Sequence, residues 1–155
     1  MSQNYFDQID IQYLKQAVDL SRSAPPKMTA FSVGCVIVDA GRALVSTGYS
    51  RELGEDWHAE AVAIKKARHT SIKLSACTLY SSLEPCSVRK SGREACCSLI
   101  LQHGMSRVVF GMREPLVFVD GRGIETLSSA GIEVIELKLM NDDVIQINAH
   151  LFTSS

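Results

Sequence analysis

Apolar positions change period along the chain, and each change marks an element. Ile11, Leu14, Ala17, Val18 and Ser21 recur at three- and four-residue spacing, the stripe of a helix with one buried face. Asp10 is placed to cap that helix and Pro25-Pro26 to end it. Residues 31–38 form a continuous apolar run that reads as a buried strand. The turn Asp39-Ala40-Gly41-Arg42 returns it through residues 43–47 as a hairpin. After a loop over 48–56, helical spacing resumes from His58 to Arg68. Residues 78–83 read as a strand, and Pro85 opens the next helix or the loop before it. Ala95, Cys96, Leu99 and Ile100 give that helix its apolar face, and Gly104 its stop. Strands over 108–110 and 132–137 flank a helix over 124–130. Asn141 or Asp142 caps a last helix carrying Val144, Ile145, Ile147 and Leu151. A hairpin followed by alternating strands and helices predicts an α/β chain whose mixed sheet is parallel in its second half, with helices on both faces.

The 155 residues, 46% hydrophobic and 21% charged, fit a single domain over 1–155 with a core of its own. No apolar run approaches the ~18 residues of a membrane span. The first ten residues lack the basic flank and apolar core of a secretory signal. A net charge of −1 argues against a strongly basic nucleic-acid binder. Five cysteines, an odd number with no signal, point to a reducing cytoplasm rather than a disulfide framework. Cys35 and Cys77 fit buried strand positions, which leaves Cys86, Cys96 and Cys97 to explain.

Two segments carry chemistry: Trp57-His58-Ala59-Glu60, and Leu83-Glu84-Pro85-Cys86 followed by Cys96-Cys97. One histidine and two cysteines suit zinc, and three protein ligands leave a fourth position open, as in catalytic sites. Glu60 lies two residues after His58, about 200° around a regular helix, so the pair shares a target only if His58 sits at the helix start. Helix N-termini there would favour thiolates. Zinc acidifies a bound water, and Glu60 would move its proton to a ring nitrogen and then to a leaving amine. The expected reaction is hydrolytic deamination of a nitrogen heterocycle. Zinc deaminases carry H-x-E followed by P-C-x-x-C. The first half is intact here; in the second, nine residues separate Cys86 from Cys96. Cys96 and Cys97 stand about 100° apart on a helix, so one of the two is the third ligand.

These segments resemble the cytidine-deaminase-like superfamily, and more narrowly the deaminase domain of riboflavin-biosynthesis enzymes. The resemblance is carried by FSVGCVIVD, TGYSRELGEDWHAEAVAIKKA, LYSSLEPCSVRKSGREACC, RVVFGMREP, DGRGIETLSSAGIEVIEL and INAHLF. The SG within the cysteine loop is most similar to the fungal-type, monofunctional deaminase. The resemblance implies a three-layer α/β/α fold, zinc on His58, Cys86 and Cys96, Glu60 as proton shuttle, and a homodimer. It implies a small aminopyrimidine nucleotide as substrate, a diaminopyrimidinone ribosylamino or ribitylamino phosphate. Bacterial bifunctional members show Asn-Pro before the first strand's Val-Gly; here the place reads Ala30-Phe31-Ser32-Val33-Gly34.

Arg89, Lys90 and Arg93 lie in the loop between the cysteines, where cations can clamp a phosphate, or simply be solvated. Arg51 and Glu52 precede the His58 segment and are candidates to line the pocket. Ser82 is a candidate contact to the base, or a plain strand end; Glu84 is expected to orient the Cys86 segment. Trp57 is read as packing, and the basic face Lys65, Lys66, Arg68 as solvated. Two alternatives stand beside this reading: a deaminase of cytidine, deoxycytidylate, guanine or another heterocycle, and a non-catalytic zinc-stabilised binding module. Editing of tRNA adenosine fits less well, since the tight C-x-x-C is missing and the charge is not basic.

Overall fold

The computed structural model describes residues 5–87, 94–115 and 123–152. Helix α1 (Gln8–Ser21) opens on a reciprocal cap: Asp7 accepts the Asp10 backbone N–H at 3.0 Å, and Asp10 accepts that of Asp7 at 3.0 Å. Asp7 is therefore the cap, and Asp10 is freed to point inward. The helix stops at Ser21, ahead of the two prolines. Arg22, Ser23 and Ala24 each donate to a carbonyl three residues back, and this tightening ends the α-helix.

Strand β1 (Gly34–Val38) starts later than its apolar run suggests: Phe31 and Val33 line a pocket, and the Ser32 N–H goes to the Asn148 side chain instead of a sheet ladder. The hairpin closes through Arg42, at φ 68°, into β2 (Leu44–Tyr49). Helix α2 (Ala59–Arg68), strand β3 (Thr78–Ser81), helix α3 (Cys96–Gln102), strand β4 (Arg107–Phe110), helix α4 (Gly123–Ser129) and strand β5 (Glu133–Glu136) follow. Helix α5 (Asn141–Ile147) comes last, with Met140 rather than Asn141 or Asp142 at its cap; a short 3₁₀ turn, Ala149–Leu151, carries Leu151. The sheet order is β2-β1-β3-β4-β5. β1 runs antiparallel to β2 and β3, while β3, β4 and β5 are parallel. This is the expected mixed sheet.

Alternation along the strands divides the core in two. Cys35, Ile37, Leu79, Val108, Phe110 and Val134 face α2, α3 and α4. Val36, Val38, Tyr80, Val109 and Ile135 face α1 and α5. The result is three layers, α/β/α. Two glycines set how closely helices approach. A Cβ on Gly34 would fall 1.8 Å from the Ala17 carbonyl of α1, and one on Gly48 2.5 Å from the Ala59 carbonyl of α2. Gly48 thus lets the first residues of α2, which carry the chemistry, lie directly on β2. Among the described residues no helix is long and apolar enough to cross a membrane.

Candidate active site

The chemical residues gather where β3 and β4 end and α2 and α3 begin, the end of a parallel sheet that characteristically binds ligands. His58 is the N-cap of α2, extended at φ −82°, ψ 153°, and Glu60 follows in the first turn. From there both side chains reach past the helix end. Cys96 is the first residue of α3. Cys86 does not start a helix; it lies in irregular chain after β3, tied to α3 by the Cys96 N–H on its sulfur at 3.3 Å and the Cys97 N–H on its carbonyl at 3.0 Å. With nine residues between the cysteines instead of two, the helix starts at the second cysteine rather than the first.

His58 Nδ1 stands 3.6 Å from Cys86 Sγ and 3.5 Å from Cys96 Sγ, and the three ligand atoms all lie within 4.8 Å of one another. With metal–nitrogen bonds of about 2.0 Å and metal–sulfur bonds of about 2.3 Å, a tetrahedral site separates N from S by about 3.5 Å. The trio fits zinc as it stands. Hydrogen bonding with Cys96, and with His58 behind it, holds the Cys86 thiol well below its ordinary value, so it is ready to ligate. Cys97 is turned the other way. Its sulfur faces the Pro85 and Gly123 carbonyls at 3.4 and 3.6 Å, and burial pushes its pKa up to about 12.

Glu60 is buried, and desolvation raises its carboxyl to about 7; negative charge at Cys86 adds to the rise, while His58 opposes it. Phe31, Arg51, His58, Glu60, Cys86 and Glu114 line one pocket. Arg51, at φ 63°, donates to the Pro25 carbonyl at 2.8 Å, and to the Phe31 carbonyl and Ser32 Oγ at 3.3 Å each. Among the described residues its partners are neutral oxygens, so its charge is left for a ligand. Glu84, also on the pocket, is buried and ties three loops together. Its carboxylate accepts the Glu114 N–H at 3.0 Å and the Ile124 N–H at 3.1 Å. It orients α4 and the segment after β4 rather than a helix at Cys86.

Two sequence candidates do not come to the pocket. Glu52 pairs with Lys66 of α2 and accepts the Tyr49 N–H at 3.2 Å. Lys66 is thereby an ion-pair partner and not a purely solvated cation. Ser82 Oγ accepts the Gly34 N–H at 3.0 Å and its own N–H returns to the Gly34 carbonyl at 3.0 Å, extending the ladder between β1 and β3. Arg89, Lys90 and Arg93 lie outside the described residues. Trp57 lines a separate groove between α2 and α3, with Lys65 Nζ 5.8 Å from its ring centre. Glu114 was invisible to motif reading, since it looks like a surface charge after a strand. Burial, with Cys86, Glu84 and Glu60 nearby, raises its carboxyl to about 7.

One imidazole, two thiol sulfurs and a buried carboxyl at the carboxyl end of a mixed α/β sheet form a centre of the kind found in zinc-dependent hydrolases. The family model described as the cytidine and deoxycytidylate deaminase zinc-binding region matches residues 7–112, and the chain belongs to that family. It is 40% identical over 137 residues to the diaminohydroxyphosphoribosylamino-pyrimidine deaminase of Schizosaccharomyces pombe, covering 87% of this chain and 34% of the relative. The crystal structure of the Thermotoga maritima diaminohydroxyphosphoribosylaminopyrimidine deaminase/5-amino-6-(5-phosphoribosylamino)uracil reductase superposes with a TM-score of 0.74 at 32% identity, over 90% of this chain and 39% of that one. The Rib2 deaminase of Aspergillus oryzae, a C-terminal deletion mutant, gives 0.77 at 26%, over 93% and 99%. The chain spans 34–39% of the length of the first three curated relatives it matches.

Proposed function

We propose that this chain catalyses hydrolytic deamination of a diaminopyrimidinone bearing a ribosylamino or ribitylamino phosphate, a step of riboflavin biosynthesis. The observation that carries the chemistry is the buried Glu60 sharing a pocket with His58 and Cys86, with Cys96 3.5 Å from the same imidazole. The substrate class is supported by the names of the 40% identical fission-yeast relative and the 32% identical Thermotoga enzyme.

His58, Cys86 and Cys96 would hold the zinc, which would supply a Lewis acid that makes water nucleophilic near neutral pH. Glu60 takes one proton of the attacking water to the ring nitrogen, which keeps it, and then carries the second, from the new hydroxyl, to the amine, which leaves as ammonia while the carbonyl forms. A carboxyl near 7 can both accept and return that proton. Glu114 offers carboxyl oxygens to amino groups of the ring, and Arg51 offers a cation to the phosphate arm. Arg89, Lys90 and Arg93 are further candidates for that arm, from the loop between the ligands.

The test is ammonia release by the zinc-loaded protein with the two pyrimidinone phosphates, beside cytidine and deoxycytidylate. Glu60→Gln should lose at least ~10²-fold in turnover while keeping its zinc. Turnover of a cytosine compound alone would replace the substrate and keep the mechanism; the family description, which names cytidine and deoxycytidylate, is what favours that second reading. Full activity in Glu60→Gln would remove Glu60 from the mechanism, and no turnover of any of these substrates by the zinc-loaded wild type would revive the binding-module reading. The resemblance also suggests a homodimer. The odd number of cysteines suits a reducing cytoplasm.

A further inference from the structure

The pocket wall formed by Ala30, Phe31 and Val33 belongs to a segment between α1 and β1 that no helix or strand supports. Its backbone groups must be satisfied by something else. Two distant places supply the partners. One is Arg51, on the Pro25 and Phe31 carbonyls. The other is the stretch after α5. Asn148 is buried, and its Oδ1 accepts the Ser32 N–H at 2.7 Å while its Nδ2 donates to the Ser32 carbonyl at 3.3 Å and the Val144 carbonyl at 3.0 Å. His150 Nε2 faces the Lys27 and Ala30 carbonyls at 3.1 and 3.2 Å, so it is the protonated ring nitrogen and donates to both. Phe152 meets Phe31 edge-on, with ring centres 6.1 Å apart.

We infer that Asn148 and His150 are positioning residues for substrate binding: they fix the 27–32 wall, and through it the guanidinium of Arg51. Only a carboxamide at 148 provides both the acceptor and the donor that Ser32 requires; aspartate would set a carboxylate oxygen against the Ser32 carbonyl. Arg51 bonds the same segment at Phe31 and Ser32, so displacement of the wall moves the pocket's cation as well. Neither residue lines the pocket holding His58, Glu60 and Cys86, and the metal trio does not depend on them. The inference rests on the reading that this pocket takes the aminopyrimidine.

The experiment compares wild type with His150→Ala, His150→Gln and Asn148→Asp. It uses whichever pyrimidine the wild type deaminates, and measures zinc content and amide hydrogen exchange over residues 25–33. In His150→Ala and Asn148→Asp we expect KM to rise ~10-fold with kcat within ~3-fold, zinc unchanged and faster exchange over 25–33. His150→Gln, whose amide can still donate to the two carbonyls, should recover most of the KM. Unchanged KM alongside reduced thermal stability would make the two residues purely structural, and a fall in kcat and zinc would place their effect on the metal centre; either result overturns the inference. A wild type inactive on every pyrimidine would sink the functional reading instead. The exchange over 25–33 would then still decide whether the clamp holds the wall.

Discussion

Cys96 and Cys97 are neighbours with opposite surroundings. The first has its sulfur 3.5 Å from His58 Nδ1, and the second faces two backbone carbonyls inside the core. Cys96→Ala should therefore lose most bound zinc, while Cys97→Ala should keep full zinc stoichiometry and lose about 1 kcal/mol of stability. Metal analysis with thermal melts separates the two outcomes. Sequence spacing brought His58, Glu60 and Cys86 into view because H-x-E works only at a helix start and Pro-Cys followed a strand. It could not orient Glu52 or Ser82, whose partners, Lys66 and Gly34, are chosen by tertiary packing. It missed Glu114 for the same reason: that residue's N–H is held by Glu84, thirty positions away on another loop.

At the scale of elements, the start of α2 is positioned by an absence of side chain. A Cβ at Gly48 would lie 2.5 Å from the Ala59 carbonyl and 2.8 Å from the Ala63 N, both backbone atoms that cannot give way cheaply. Gly48→Ala should cost about 1–3 kcal/mol, and it should weaken zinc binding too, because the displaced turn carries His58. A zinc competition titration beside a urea melt checks both. Helix identities were legible from period, as in α1, while β1, buried on both faces, was legible only from its short apolar run and the turn that follows it. Boundaries were not. A local reading put the first cap at Asp10; the cap is Asp7, and partners far along the chain draw Asp10 inward.

For the whole molecule, the end of the sheet opposite the site is closed by those partners. Asp10 accepts from Tyr80 at 2.6 Å, from Arg107 at 2.7 and 2.9 Å and from Arg42 at 3.0 Å, and Arg107 continues to Glu133 at 2.6 Å. Burial works to raise the Asp10 carboxyl, but the hydrogen bonds from Arg107 and Tyr80 prevail and leave it below its ordinary value. Its contribution is complete above the unfolded value of about 3.9 and is lost as pH falls through the depressed folded value. Burial and the bond to Asp10 raise the Tyr80 hydroxyl to about 12, so that contribution is complete below about 10 and fades as pH climbs toward 12. Urea denaturation across pH should show both losses, and Tyr80→Phe should abolish the alkaline one and shrink the acid one, since Asp10 then keeps its arginine partners but loses the hydroxyl. None of the three metal ligands belongs to either apolar cluster, and the Asp10 network sits away from them. The apolar clusters and the ligand trio thus draw on different side chains, so the residues that hold the ion can be exchanged one at a time without emptying either layer of the core.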